Sequence, residues 1–364
     1  MAYTDIDKPS DYFNTKIWTG DGDTASNKTG VGFKPDWTWI KKRTNDVEDH
    51  ALFDSVRGVA SAKLLNSNAN GGEETHGNNG YVSGFLSDGF SVATNGSNSE
   101  KWEYLNTTND TYVSWNWKGS GSASANSDGS TASSVSANTT AGFSVVGYTG
   151  AGATTYGHGL GATPNVIIIK KRTSDSGNNN WFVYHDKVIT AGGSNKSFLT
   201  LNETGATTAN GSATTFTSVS STTFGVGTDD IISESSHTFI AYCLAEKQGY
   251  SKFGSFTGNG SADGTFVYTG FKPAFVLTKK STETSEWHIY DNKRDTINPN
   301  SNVLSPNLTA VDSINANCDT NFLSNGFKLR NNNDNRNDSG ETHIYMAFAE
   351  NPFVTSTSIP TTSV

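Results

Sequence analysis

Three stretches of this chain repeat one spacing, and that repetition limits its fold more than any other feature. Each opens on Thr-Gly-x-Gly, at Thr19 to Gly22, Thr149 to Gly152 and Thr257 to Gly260. A proline follows 14 or 15 residues after the first glycine, at Pro35, Pro164 and Pro273. A lysine pair stands six and seven residues beyond it, at Lys41–Lys42, Lys170–Lys171 and Lys279–Lys280, with DWTWI, NVIII and AFVLT between. An aromatic closely followed by Asp comes next, around Asp54, Asp186 and Asp291, and then a turn and strand start around Phe90, Phe224 and Phe327. Each stretch closes on a strand, read as Tyr112 to Trp115, Phe239 to Tyr242 and Tyr345 to Phe348.

Physics accounts for the recurring parts. Glycine supplies positive φ in turns, and proline suits a strand start because it donates no hydrogen bond. The residues after it are apolar or alternating, as in a sandwich strand. Short strands without helical periodicity predict an all-β chain of three tandem β-sandwich domains of the jelly-roll, lectin-like kind. The boundaries are 15–118, 142–246 and 250–353, with an N-terminal attachment strip at 1–14 and a polar tail at 354–364. The three are expected to superpose, with Trp39, Ile168 and Leu277 buried at equivalent places. Residues 119–141 read as a flexible Gly/Ser-rich linker that leaves the first domain free to sit apart. The strip holds Tyr3, Tyr12 and Phe13 among polar residues and is expected to dock on another protein or a neighbouring copy.

Composition excludes several functions. A net charge of −9 gives no electrostatic footprint for nucleic acid and is repelled by anionic membranes. Met1 to Asp11 has no signal-peptide pattern, and the longest apolar run, Val166 to Ile169, is a strand, so no membrane insertion is expected. The two cysteines, Cys243 and Cys318, form no cluster and read as small buried side chains.

Candidate chemistry is sparse. The seven histidines are scattered, and the sequence has no G-x-S-x-G elbow, H-E-x-x-H motif or Walker loop. Asp54, Asp186 and Asp291 recur once per repeat, which favours a structural role such as pairing with Arg57 and Arg294 over the paired carboxylates of a glycosidase. Asp21 and Asp23 in TGDGD offer calcium-type oxygens, but TGAGA and TGNGS lack them, so a Gly-rich hairpin turn is expected. Trp37, Trp39, Trp102, Trp115, Trp117, Trp181 and Trp287 could stack on sugars. Trp37 and Trp39 have apolar counterparts in the other repeats and read as core; Trp117 reads as freer. The lysine pairs read as solvated strand ends. No catalytic, cofactor-binding or metal-binding residue is assigned, no cofactor is expected, and the ligand-binding residues are unknown.

MAYTDIDKPSDYFNTKIWTGDG with GFKPDWTWIKKR and HALFDSVRG resembles the start of proteins recurring in marine tailed phages. GFSVVGYTGAG with GATPNVIIIKKR, and AYCLAEKQGYSKFGSFTGNG with GFKPAFVLTKK and IYMAFAENPF, resemble two further segments of that family. The resemblance implies a concanavalin A-type jelly roll and a place on the virion, after synthesis in the host cytoplasm. It carries no activity and no functional residues. The function expected is a non-enzymatic structural component of the phage particle: a tail fibre, tail spike or head-mounted fibre involved in host attachment. The expected partners are other virion proteins and further copies of the chain, with a homotrimer favoured. The alternatives are a receptor-recognition protein with a pocket for host surface glycan, and a polysaccharide depolymerase.

Overall fold

The computed structural model describes residues 3–75, 78–94, 104–173, 175, 177, 179–188, 197–208, 215–314 and 316–361. They form an all-β protein of sandwich type in which one strand order occurs three times. In the first repeat, β1 (Phe13–Thr19), β7 (Thr111–Trp117), β3 (Trp37–Lys42) and β4 (Ala51–Asp54) make a four-stranded antiparallel sheet in that order. Behind it lies a sheet of β2 (Ala25–Thr29), β6 (Gly89–Ala93) and β5 (Tyr81–Leu86). The pairs are nested, first strand with last and second with sixth, on alternate sheets.

The second repeat gives the same order with β10 (Phe143–Thr149), β17 (Thr238–Leu244), β12 (Val166–Lys171) and β13 (Trp181–His185), extended on one side by β14 (Leu199–Thr200). Its smaller sheet is β11 (Thr154–Gly157), β16 (Thr223–Val226) and β15 (Phe216–Val219). The third has β18 (Ser251–Thr257), β26 (Thr342–Pro352), β20 (Phe271–Lys280) and β21 (Trp287–Asp291), backed by β19 (Phe266–Tyr268), β25 (Gly326–Leu329) and β24 (Thr320–Leu323). Phe90, Phe224 and Phe327 are buried in the middle strands of the smaller sheets.

The register fixes which residues correspond. Trp39 faces Trp115, Ile168 faces Tyr242 and Leu277 faces Met346, and all three of the strand residues are buried as expected. The same register moves the last strand of the third repeat by two residues from the sequence reading: Tyr112 and Phe239 correspond to His343, not Tyr345. A slip of two keeps each side chain on its face, so alternation could not reveal it.

The Thr-Gly-x-Gly turns carry the chain from the larger sheet to the smaller one; they are not hairpins. The first glycine lies against the approach to the last strand, where a Cβ would overlap the carbonyl oxygen of Thr107, Glu234 or Asp338. Gly22, Gly152 and Gly260 take φ of 73°, 69° and 64°, a region that side chains disfavour.

The larger sheets are covered on both faces. One face packs on the smaller sheet of its own repeat, giving three separate cores. The other faces meet in one cluster drawn from all three repeats, including Trp37, Trp117, Phe143, Tyr242, Phe275 and Phe348. The expectation that the first repeat sits apart is therefore corrected: Trp37 stacks on Tyr242 of the second repeat with ring centroids 4.1 Å apart. Leu277→Ala should lower the unfolding free energy by about 2–5 kcal/mol in urea denaturation, because this shared core cannot collapse around the gap.

The stretch read as a flexible linker is also corrected. It forms β8 (Ser124–Asn126) and β9 (Ser133–Asn138), which extend the second repeat's larger sheet through β10. Asp36 of the first repeat holds its start, accepting from Gly119 N at 2.7 Å, Gly121 N at 3.0 Å and Ser136 Oγ at 2.9 Å. Strand pairing uses backbone atoms, so a Gly/Ser composition does not prevent it.

The N-terminal strip docks on its own chain. Tyr3 Oη donates to Gly270 O at 2.6 Å, Ile6 and Phe13 join the shared core, and Tyr12 packs edge-on against Tyr250. Asp7 accepts from Ser356 of the polar tail. Its aromatics are satisfied within the chain, which removes the motive for placing them on another protein.

Candidate functional site

The residues singled out by repetition serve the joints between repeats. After its fourth strand, each repeat sends a loop onto the next. Asp312 N donates to Arg43 O, Glu73 N to Arg172 O and Thr207 N to Ser281 O, at 3.1, 2.7 and 2.8 Å. Trp181 Nε1 donates to Asn66 O at 2.8 Å, and Trp287 Nε1 to Thr200 O at 3.0 Å. His50 fills that position in the first repeat and lies 3.0 Å from Ser305 O through Nε2. Its Nδ1 accepts from Trp39 Nε1, so Nε2 carries the proton and the ring is neutral. Third to first, first to second, second to third: the contacts close a ring.

The recurring aspartates lie at the opposite end of these strands. Asp54 pairs with Arg57, and Asp291 with Arg294 at 2.6 Å, all four side chains fully buried. Asp54 Oδ2 also accepts from Tyr242 Oη at 2.9 Å, and Asp291 Oδ2 from Trp115 Nε1 at 3.0 Å, so each pair anchors a neighbouring repeat. Asp186 does not share this position. Register places His185 there, 3.3 Å from Tyr345 O, and Asp186 stands one residue beyond.

The lysine pairs are not solvated strand ends; all six are buried. The first lysine of each pair points to the shared-core side. Lys41 Nζ donates to Thr309 O at 2.9 Å and Lys279 Nζ to Thr204 O at 3.2 Å, each in a neighbouring repeat. Lys170 donates to Asn179 O and lies 5.5 Å from the centre of the Trp181 ring. The second lysine bridges two carboxylates: Lys42 with Asp46 and Asp110, Lys171 with Asp175 and Glu234, Lys280 with Glu283 and Asp338.

Sequence reasoning missed one cluster. Asp175, Glu234 and His237 bring ligand atoms within 4.8 Å of one another, a donor set that suits a metal ion. The buried ammonium of Lys171 already bridges both carboxylates, as its counterparts do in the other repeats. The cluster is thus one of three lysine clamps tying the loop after the third strand to the start of the last. Asp21 is held likewise, accepting from Ser26 Oγ at 2.6 Å and Lys28 Nζ at 3.2 Å. Trp37, Trp39, Trp115, Trp117, Trp181 and Trp287 are fully buried. Trp117, read as freer, stacks on Trp37 at 4.3 Å; Trp102 lies outside the described residues. Cys243 and Cys318 are free and buried, as expected.

Burial without a carboxylate partner leaves its mark on the first lysines. Desolvation pulls Lys41 and Lys279 down to about 8 and Lys170 to about 7, from an ordinary 10.5. Between those values the unfolded chain binds more protons than the folded one, so stability rises with pH across that window. The thiols of Cys243 and Cys318, which burial pushes up from 9.0, and the buried tyrosines Tyr156, Tyr184 and Tyr290, pushed up to about 12 from 10.0, act in the opposite sense and reverse the trend above about pH 9. Calorimetric melting temperatures should therefore climb from about pH 7 to about pH 9, and less steeply in Lys170→Met. A flat or falling profile in that range would contradict this reading.

A cavity opens in the third repeat. It holds about 290 Å³ between the loop after β21 and the end of β26. Lys272, Asn292, Asp295, Asn300 and Glu350 line it, with Ile297 and Phe322 as apolar wall. In the same repeat Ala274 stands where Asp36 and Asn165 stand in the others, before Phe275, Trp37 and Val166 on equivalent strands, and it lacks the clasp that Asp36 makes to Gly119 N and Asn165 to Asp186 Oδ2. The change was visible in DWTWI, NVIII and AFVLT.

A family model described as "Domain of unknown function (DUF7483)" matches residues 8–352. No curated protein and no solved structure matches the chain.

Proposed function

Because the chain belongs to the DUF7483 family, whose model runs unbroken through all three repeats, we propose that the whole ring is the working unit and that it is a non-enzymatic structural component of a tailed-phage particle. The observation that carries this reading is the use of the recurring polar residues. The aspartate–arginine pairs, the lysines and the ring nitrogens of Trp181 and Trp287 all serve joints or cores. Such a design suits load and durability. The resemblance to marine phage proteins supplies the particle, as a tail fibre, tail spike or head-mounted fibre. The nested strand pairs support the jelly-roll form of the sandwich. Partners are other virion proteins and further copies of the chain, with a trimer favoured.

Immunogold labelling of intact particles, with mass spectrometry of purified virions, tests this. The protein should be present at one fixed location; its absence from purified particles would end the proposal. Incubation with host polysaccharide should release no reducing ends. Release that a single carboxylate variant abolishes would favour the depolymerase instead. Glycan recognition is a second reading, favoured by the cavity in the third repeat.

A further inference from the structure

A core position of the first repeat holds a lysine where the other two hold tyrosine and valine. Lys28 of β2 faces Phe90 across the smaller sheet, as Tyr156 faces Phe224 and Val267 faces Phe327. It is 5% exposed, and its Nζ lies 6.0 Å from the centre of the Trp18 ring, which stacks on Tyr112. A second change accompanies it. In the third repeat the Thr-Gly-x-Gly turn is held by Asn337, whose Nδ2 donates to Asn259 Oδ1 at 2.9 Å and whose Oδ1 accepts from Asn259 N at 3.0 Å. Asn106 takes that place in the first repeat, with Asp21 where Asn259 stood: its Oδ1 accepts from Asp21 N at 3.3 Å and its Nδ2 donates to Asp21 Oδ1. A contact between two amides has become a carboxylate, a carboxamide and an amine held together.

The contacts order these groups for reaction. Lys28 Nζ donates to Asn106 Oδ1 at 2.7 Å, to Asp21 Oδ2 at 3.2 Å and to Ser26 Oγ at 2.9 Å. Asp21 therefore touches the amine through one oxygen and the amide nitrogen through the other. Asn106 is fully buried, and Trp18 Nε1 fixes the chain beside it by donating to Leu105 O at 3.1 Å. Burial lowers the pKa of Lys28 from its ordinary value against the pull of Asp21, which makes the neutral amine easier to reach.

We propose that Lys28 and Asn106 join in an intramolecular amide bond, with Asp21 carrying the protons. Asp21 Oδ2 takes a proton from the ammonium, and Nζ, now an amine, attacks Cγ of the carboxamide. The bond from Cγ to Nδ2 breaks, ammonia leaves and a secondary amide remains. Of the two protons that Nζ gives up through Asp21, one completes the departing ammonia and the other passes to solvent. Nothing is oxidised or reduced, and no co-reactant is consumed. The Asp21 N–H on Oδ1 stabilises the negative charge that develops there, and fixed contact replaces a chance encounter, which lets so weak an electrophile react. Desolvation raises Asp21, but hydrogen bonds from Ser26, the Asp23 N–H, Asn106 and Lys28 hold it below the usual carboxylate range. Proton transfer onto it is therefore uphill, and the bond forms slowly after folding.

The inference does not need a phage particle, so it is tested on the isolated full-length chain by intact-mass spectrometry, after the purified protein has stood at neutral pH for several days. The wild type should be lighter than its sequence by the mass of one ammonia. A proteolytic digest should yield a branched peptide joining residues 28 and 106 that reducing agents leave intact. Lys28→Val and Asp21→Asn each install the residue that the third repeat carries at that place. The first should keep its full mass. The second should form the bond at least about a hundredfold more slowly, the usual loss with a general base, while its circular dichroism is unchanged. If Lys28→Val fails to fold, Lys28→Arg keeps the cation without the nucleophile and should likewise keep its full mass. Wild-type protein at full mass, a digest that places the loss of ammonia at another asparagine, or bond formation in Asp21→Asn as fast as in the wild type would each overturn the proposal.

Discussion

Replacing Arg57 with methionine should destabilise the protein by about 3–5 kcal/mol, the usual result of removing one partner from a buried ion pair. Its guanidinium donates to Asp54, to Leu52 O at 3.1 Å and to Lys63 O at 2.6 Å. Without it, Asp54 keeps the N–H groups of Val56 and residue 57 and the hydroxyl of Tyr242, but its charge is stranded out of water. The cost exceeds that of losing the hydrogen bonds alone, because desolvation of the carboxylate is no longer offset. Asp54→Asn in the same chain should recover part of the loss, since the two residues act as a unit. Guanidinium denaturation at neutral pH measures both. A loss below about 1 kcal/mol for the single variant would mean that water reaches Asp54.

Trp37→Ala should cost a similar amount, about 3–5 kcal/mol, for a different reason. Trp37 is 1% exposed and lies between Trp117 of its own repeat and Tyr242 of the next. Truncation opens a hole that belongs to two repeats at once. The shared core therefore predicts one unfolding transition, the same by tryptophan fluorescence and by far-ultraviolet circular dichroism, shifted as a whole in the variant. Transitions that separate by probe would show repeats melting one at a time.

The strands and their inward residues were legible because alternation and turn chemistry are local. Trp39, Ile168 and Leu277 could be matched from proline spacing alone. The common core could not. A strand covered on both faces reads as an apolar run, and VIII does not say whether the second cover is the same repeat or another. For the same reason Lys41 and its counterparts looked like strand ends leaving the protein, whereas the chain continues over them from a neighbouring repeat. The Gly/Ser segment misled because flexibility was inferred from side chains, while β8 and β9 are held by backbone atoms and by Asp36. The missing clasp of the third repeat was hinted at by one letter, the alanine of AFVLT, but an alanine in a strand is unremarkable until two neighbours show what stood there.

A ring closed by three joints could be made from three copies of a shorter chain, and every substitution would then appear three times. Here each joint is written separately in one sequence. Ala274 removes a clasp from one repeat while Asp36 and Asn165 keep theirs, so the loss is carried once. His50 stands where the other repeats have tryptophan, and His185 where they have aspartate, on the same terms. Covalent continuity thus frees each repeat to diverge within an architecture that the other two hold in place.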